Sequence, residues 1–187
     1  LDSNLRDAMK PKNISYTFSH DENLFLNTDR NRLEQVFNNL IFNSIDFVNT
    51  EGKIDVTATD SENMIKFSVS DNGIGIPQGK IGGLFKKFYQ VDTSMSREHG
   101  GTGLGLAIVK GIVDGLGGDI SVESSENIGT NEVLKAPSAK ILLKKFGNLK
   151  AIKNDTNKRK KPSKVPLGAR VSARVALGTC NIWPNNY

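Results

Sequence analysis

Apolar and polar residues alternate in four short stretches of the chain and recur at helical spacing in two longer ones. Ile14, Tyr16 and Phe18 take every second place in the first stretch and predict a strand over 14–18. Ser19 to Asn23, including His20, then form a turn, and residues 24–26 a short second strand. Residues 2–9 read as the last turns of a helix that stops ahead of Pro11. Asp29 is placed to cap a helix over 30–47. At about 100° per residue, Leu33, Val36, Phe37, Leu40, Ile41, Ser44, Phe47 and Val48 gather on one broad face of that helix. Gln35, Asn39, Asn43 and Asp46 fall within roughly 80° of one another on the other.

Residues 53–59 and 64–70 alternate again and are joined by Asp60-Ser61-Glu62-Asn63, which predicts an antiparallel hairpin. One face of it carries Ile54, Val56, Ala58, Ile65, Phe67 and Val69. Near the middle of the chain a glycine-rich loop runs into a second helix, HGGTGLGLAIVKGIVDGLGG over 99–118. Leu104, Ala107, Ile108, Ile112 and Leu116 recur there at helical spacing, and Gly117-Gly118 supply the stop. A strand over 119–124 and a turn at 127–130 follow.

Charge divides the chain. Residues 1–130 hold 12 Lys and Arg against 18 Asp and Glu, whereas residues 131–187 hold 13 against 2, so the overall charge of +5 belongs to the tail. A nucleic-acid or anionic-membrane partner is therefore an argument about the tail alone. Cys180 is the single cysteine, which excludes a disulfide framework and a cysteine metal site and fits a reducing compartment. No apolar run is long enough to span a bilayer and the first residues do not form a signal peptide, so a cytoplasmic, soluble piece of a longer protein is expected.

Three features carry candidate chemistry. Asn39 and Asn43 lie one turn apart on the polar face of the first long helix. Asparagine is a poor interior helix former, and this pair offers two amide oxygens in line for a Mg²⁺ ion already balanced by phosphates. The same face could simply meet water. Asp71 ends the hairpin and opens DNGIGIP over 71–77. It could accept a hydrogen bond from an exocyclic amine beside a flat ring, or belong to an Asp-Asn-Gly turn. The loop before the second helix, with Gly101, Gly103 and Gly105, frees backbone N–H groups for an anion, though tight packing alone would also use glycine. Between these, residues 79–98 read as a mobile lid with an apolar docking patch at Leu84 to Tyr89, and Lys86 and Lys87 could reach a terminal phosphate.

Four motifs in this order, QVFNNLIFNSIDF, DNGIGIP, LFKKFYQVD and GGTGLGLAIVKGI, closely resemble the ATP-binding catalytic domain of sensor histidine kinases. That domain belongs to the superfamily shared with gyrase B, Hsp90 and MutL. The resemblance covers about residues 4–130. It implies an α+β fold of the Bergerat type, a two-layer α/β sandwich in which a mixed sheet is covered on one face by helices and ATP lies under a mobile lid. By position, Asn43 would coordinate Mg²⁺ and Asn39 would support phosphates and metal. Asp71 would receive the adenine amine, with Gly73 and Gly75 making room for the base. The segment Gly101, Thr102, Gly103, Leu104 and Gly105 would take the phosphates, and Lys87 would stand near the γ-phosphate, where many relatives carry arginine.

The implied activity is transfer of the γ-phosphoryl group of MgATP to a histidine on a dimerisation hairpin, normally in the same full-length chain, with a response regulator downstream. Neither His20 nor His99 suits the acceptor, so this chain as it stands would not autophosphorylate. Asp46 stands where many sensor kinases carry a phosphate-facing lysine, which favours a non-catalytic ATP-sensing module as the alternative. Asn39 stands where ATP-hydrolysing relatives place a glutamate base, which disfavours a gyrase- or Hsp90-like ATPase. Family members continue after the position of Thr130 with a β-branched and aromatic edge strand. Here the domain is expected over 1–130, or to 137, with a poor strand over 132–136 and a short helix over 139–146. The basic remainder to 187 would be a solvated or poorly ordered tail, an arm for nucleic acid or membrane surface, or out-of-frame, non-native sequence.

Overall fold

The computed structural model describes residues 3–91 and 101–139 and the strand Arg174–Ala176. Helix α1 (Ser3–Met9) and a 3-10 turn (Lys10–Lys12) lead into β1 (Ser15–His20) and β2 (Phe25–Asn27), and then α2 (Arg30–Phe47). The hairpin β3 (Lys53–Ser61) and β4 (Met64–Asp71) follows, then α3 (Gln78–Ile81), α4 (Gly105–Gly115), β5 (Asp119–Ser125), β6 (Gly129–Pro137) and β7 (Arg174–Ala176). One five-stranded sheet has the order β1-β3-β4-β6-β5, and β2 pairs with β7 in a separate two-stranded sheet. Strand β1 runs parallel to β3, and the other pairs of the large sheet are antiparallel. The expected mixed sheet and α+β class are thus present.

Alternation explains the layering. Ile54, Val56, Ala58, Ile65, Phe67 and Val69 all face one side and are fully buried, in one core with Leu33, Val36, Phe37, Leu40 and Ile41 of α2 and Val109 and Val113 of α4. The facing rows of β3 and β4, such as Asp55, Thr57, Lys66 and Ser68, are polar and partly or fully exposed. Among the described residues, helices therefore cover one face only. Asp29 caps α2 by accepting from Asn31 N at 2.8 Å. At the other end α2 has no basic residue of its own in its last turn. Lys12 takes that role from the preceding segment, donating through Nζ to the carbonyls of Ile45 (2.7 Å), Asp46 (2.8 Å) and Val48 (3.0 Å).

Several expectations need correction. Phe47, assigned to the buried face of α2, is 41% exposed, because the last turn meets loop 72–76 and not the sheet. Ile74 N donates to Phe47 O at 3.1 Å there. Ile45 takes the core position instead. In α4 the buried residues are Val109 and Val113, while Ile108, assigned to the inner stripe, is exposed. The sequence GLAIVKGIVDG is apolar on nearly every side, so spacing alone does not choose its inner face. His20 ends β1 and does not sit in the turn.

The largest difference is β6. The expected poor strand is nine residues long and lies between β4 and β5, bonded to both. Thr130, Glu132, Leu134 and Ala136 face the helices, and the carboxylate among them hides the apolar period. The helix expected over 139–146, apart from Ala139, the segment 92–100 of the expected lid, and the tail outside β7 lie outside the described residues. Among the described residues no helix is long and apolar enough to cross a membrane.

Candidate functional site

A cleft of about 540 Å³ opens between the polar face of α2, the ends of β4 and β6, and the start of α4. Asp71, the last residue of β4, lies at its floor. Its Oδ1 accepts from Gly73 N (2.9 Å) and Thr130 N (3.2 Å), and its Oδ2 from the Ser44 hydroxyl (3.0 Å). Burial pushes the Asp71 carboxyl up, and those three donors pull against it. The side chain is thereby locked in place with an oxygen at the cleft wall, the arrangement needed to accept from an amine on a planar ligand.

Across the cleft, α4 begins with no side chain among the described residues capping its N-terminus. The positive end of its dipole faces the cleft, a favourable place for an anion. Asn39 faces this end. Its Nδ2 donates to Gln35 O of its own helix at 2.8 Å, and its Oδ1 lies 3.0 Å from the place a Cβ on Gly105 would occupy. A side chain at Gly105 would require the Asn39 amide to give way by a few tenths of an ångström. Gly103 has φ +66, and a Cβ there would meet the backbone of Phe88 and Tyr89 at 2.8 Å. The loop is held by Phe88 N donating to Gly103 O (2.9 Å) and Gln90 Nε2 donating to Gly101 O (2.6 Å).

Of the residues singled out in the sequence, Asn39, Asn43, Asp71, Gly75, Gly101, Thr102, Gly103 and Gly105 line this one cleft, as does Asp46. Gly73, Leu104 and Lys87 do not, and Lys87 is exposed. The space spared at Gly73 and Gly75 is filled by protein. A Cβ would meet Phe47 O at 2.5 Å in the first case and Ser125 O at 1.9 Å in the second. These glycines let loop 72–76 pack between α2 and the end of β5, and Gly75 also lines the cleft.

Among the lining residues that escaped the sequence reading of the site are Ser44, Phe47, Thr130 and Glu132. Ser44 had a signal, a hydroxyl on an otherwise apolar face. Glu132 is 5% exposed, and its Oε2 is buried with no hydrogen-bond partner. Burial and then the charge of Asp71 push its carboxyl up from 4.5 to about 8. Among the described residues no lysine or arginine lines the cleft, and its acidic side chains are Asp46, Asp71 and Glu132. An anionic ligand would thus rely on backbone N–H groups and a cation brought with it. The donors beside the α4 terminus, the amide oxygens of Asn39 and Asn43, suit a hard divalent ion of that kind.

Residues 28–140 match the family model described as histidine kinase-, DNA gyrase B- and HSP90-like ATPase. The sensor histidine kinase WalK of Bacillus subtilis (strain 168) is 37% identical over 119 residues, which is 63% of this chain and 20% of WalK. The chain thus spans about a fifth of that relative's length. The catalytic domain of histidine kinase ThkA superposes with a TM-score of 0.60 at 31% identity, over 71% of this chain and 90% of that one. ThkA in complex with the response regulator protein TrrA gives 0.59 at 29% identity, over 71% and 36%. The chain belongs to the family of histidine kinase-, DNA gyrase B- and HSP90-like ATPases, and the proteins that it resembles in both sequence and fold are sensor histidine kinases.

Proposed function

We propose that this domain binds MgATP in the cleft and donates the γ-phosphoryl group to a histidine on a dimerisation hairpin, as the catalytic part of a two-component sensor kinase. The observation that carries this reading is the placement of the Asp71 carboxylate at one end of the cleft and the uncapped α4 terminus at the other. One end suits the amine of an adenine and the other a phosphate chain. Asn43 and Asn39 would hold Mg²⁺ through their amide oxygens. Bound there, the ion would draw charge from the phosphate oxygens. The N–H groups of Gly101 to Gly105 would orient the chain of phosphates, and residues 84–91 would exclude water from one side. Transfer forms a bond from phosphorus to the histidine nitrogen and breaks the bond to the departing ADP oxygen, so positioning and charge neutralisation are the main tasks of the site.

Asn39 offers no base to activate water, which favours a protein acceptor over hydrolysis; Glu34 is held by Arg30 at 2.7 Å and lines an adjoining hollow with Asn39 and Asn43. A second reading, a nucleotide-sensing module without transfer, is favoured by Asp46 in the cleft wall and by the exposed position of Lys87. A response regulator as downstream partner is supported by the likeness to ThkA, which forms a complex with TrrA. The test supplies a matching hairpin in trans with γ-labelled ATP. Acid-labile label on the hairpin that disappears in Asn43→Ala supports the kinase. Binding without transfer supports the sensing module, and release of free phosphate would overturn both in favour of an ATPase.

A further inference from the structure

Glu132 is not used by the reading above, yet it lies in the same cleft. It occupies the inner face of β6 between Val69 of β4 and Val122 of β5, its register partners. Asp71 pairs with Thr130, so Asp71 and Glu132 are diagonal neighbours on one face of the sheet. Such neighbours stand roughly 7–8 Å apart at the backbone, within reach of long side chains that converge on one ligand. One oxygen of Glu132, Oε2, is buried without a partner in a chain where buried polar atoms are otherwise nearly all satisfied among the described residues.

We propose that Glu132 and Asp71 together read the hydrogen-bonding edge of an adenine base, Asp71 accepting from the exocyclic amine and the Glu132 carboxyl donating its O–H to the adjacent ring nitrogen. This deepens the nucleotide-site reading and rests on it. An ionised carboxylate can only accept, whereas a protonated one donates, so a fixed pair with one of each matches an amine beside an unprotonated ring nitrogen. A 6-oxo purine presents the opposite order, a carbonyl oxygen beside an N–H, and would leave both buried groups opposed. The surroundings of Glu132 favour the acid form. The other ionisable groups lining the cleft are Asp46 from α2, Asp71 from β4 and Tyr89, with no lysine or arginine among the described lining residues. Its register partners Val69 and Val122 carry no ionisable group, nor do Gly105 and Leu106, the lining residues of the same cleft from α4. Burial and the Asp71 charge hold its carboxyl near 8, so it carries its proton at neutral pH while Asp71 can be ionised.

The experiment measures binding of MgATP and of Mg·1-deaza-ATP, which lacks the ring nitrogen, by calorimetry from pH 6.5 to 9.5. It compares the chain with Glu132→Gln and Glu132→Leu, each checked for folding by its thermal transition. The chain should prefer ATP to the deaza analogue by roughly three- to tenfold at pH 7, and lose that preference as pH rises past about 8. Glu132→Gln, which keeps a donor that does not titrate, should hold the preference across the range. Glu132→Leu should lose it throughout. If folded Glu132→Leu discriminates as the unaltered chain does, or if Glu132→Gln shows the same fall with pH, the assignment of Glu132 is wrong while the nucleotide site stands. Absence of any ATP binding by the folded chain overturns the site and this assignment together.

Discussion

The Oδ1 of Asn39 and the Cα of Gly105 are close enough that a single added methyl would sit 3.0 Å from the amide oxygen. Two helices distant in sequence thus meet at the point where the candidate phosphate end of the cleft begins. Gly105→Ala separates local stability from ligand space. Alanine exceeds glycine in helix propensity by about 1 kcal/mol in a helix interior and by less at this first position, so the thermal midpoint should change little. The Asn39 amide must move, and affinity for MgATP should fall by roughly tenfold. Calorimetry together with a melting curve checks both halves of this statement.

Asp71→Asn tests the floor of the cleft. The substitution keeps one acceptor where three donors now converge, and places an NH₂ group among them. Stability should drop by about 1–3 kcal/mol in a urea titration. Binding of adenine nucleotide should weaken at least a hundredfold, since the remaining side chain presents a donor to an amine.

Stability should also report on Glu132. Its carboxyl titrates near 4.5 in an unfolded chain and near 8 in the fold, so between those values the folded state holds more protons. Stability is then fully present below 4.5 and falls as pH rises toward about 8, by a few kcal/mol in order of magnitude. Glu132→Gln removes that slope. Unfolding free energies of the two proteins at pH 5 and pH 8.5 should diverge, with the variant the more stable at the higher pH.

Lys12→Met removes the ammonium that closes the end of α2. Three carbonyls lose a charged donor at once, and a cost of about 1–3 kcal/mol follows. Because Asp46 and Phe47 in that last turn line the cleft, hydrogen exchange should rise first at residues 44–48.

Much of this was legible in the chain. The hairpin β3–β4 and its inner row could be read directly, because Ile54, Val56, Ala58, Ile65, Phe67 and Val69 leave no second way to place the buried face. The polar side of α2 could be placed on the helix, but whether Asn39 and Asn43 met water or a ligand stayed open in the sequence; the fold puts both on the wall of the cleft. What failed to show has physical causes. In α4, Val109 and Val113 compete with Ile108 on a helix apolar nearly all round, so only the sheet beneath decides. Strand β6 was obscured by Glu132, a carboxylate at an inward position, and by the lysines that follow it. Ser44 and Thr130 could be placed only through their bonds to Asp71 and to its carboxylate, contacts spanning 27 and 59 residues.

Strand β5 has no neighbour in the large sheet except β6, and β6 is the last of that sheet to be made. As the chain leaves the ribosome, β4 and β5 are both exposed with free backbone edges until residues 129–137 arrive and slide between them. Closure of the core and assembly of Asp71 with Thr130 and Glu132 therefore depend on the same strand, whose pairing with β4 is long-range in sequence and whose pairing with β5 is local. A chain cut short before Gly129 would keep most of the recognisable motifs yet emerge with two sticky margins and a cleft lacking Thr130 and Glu132.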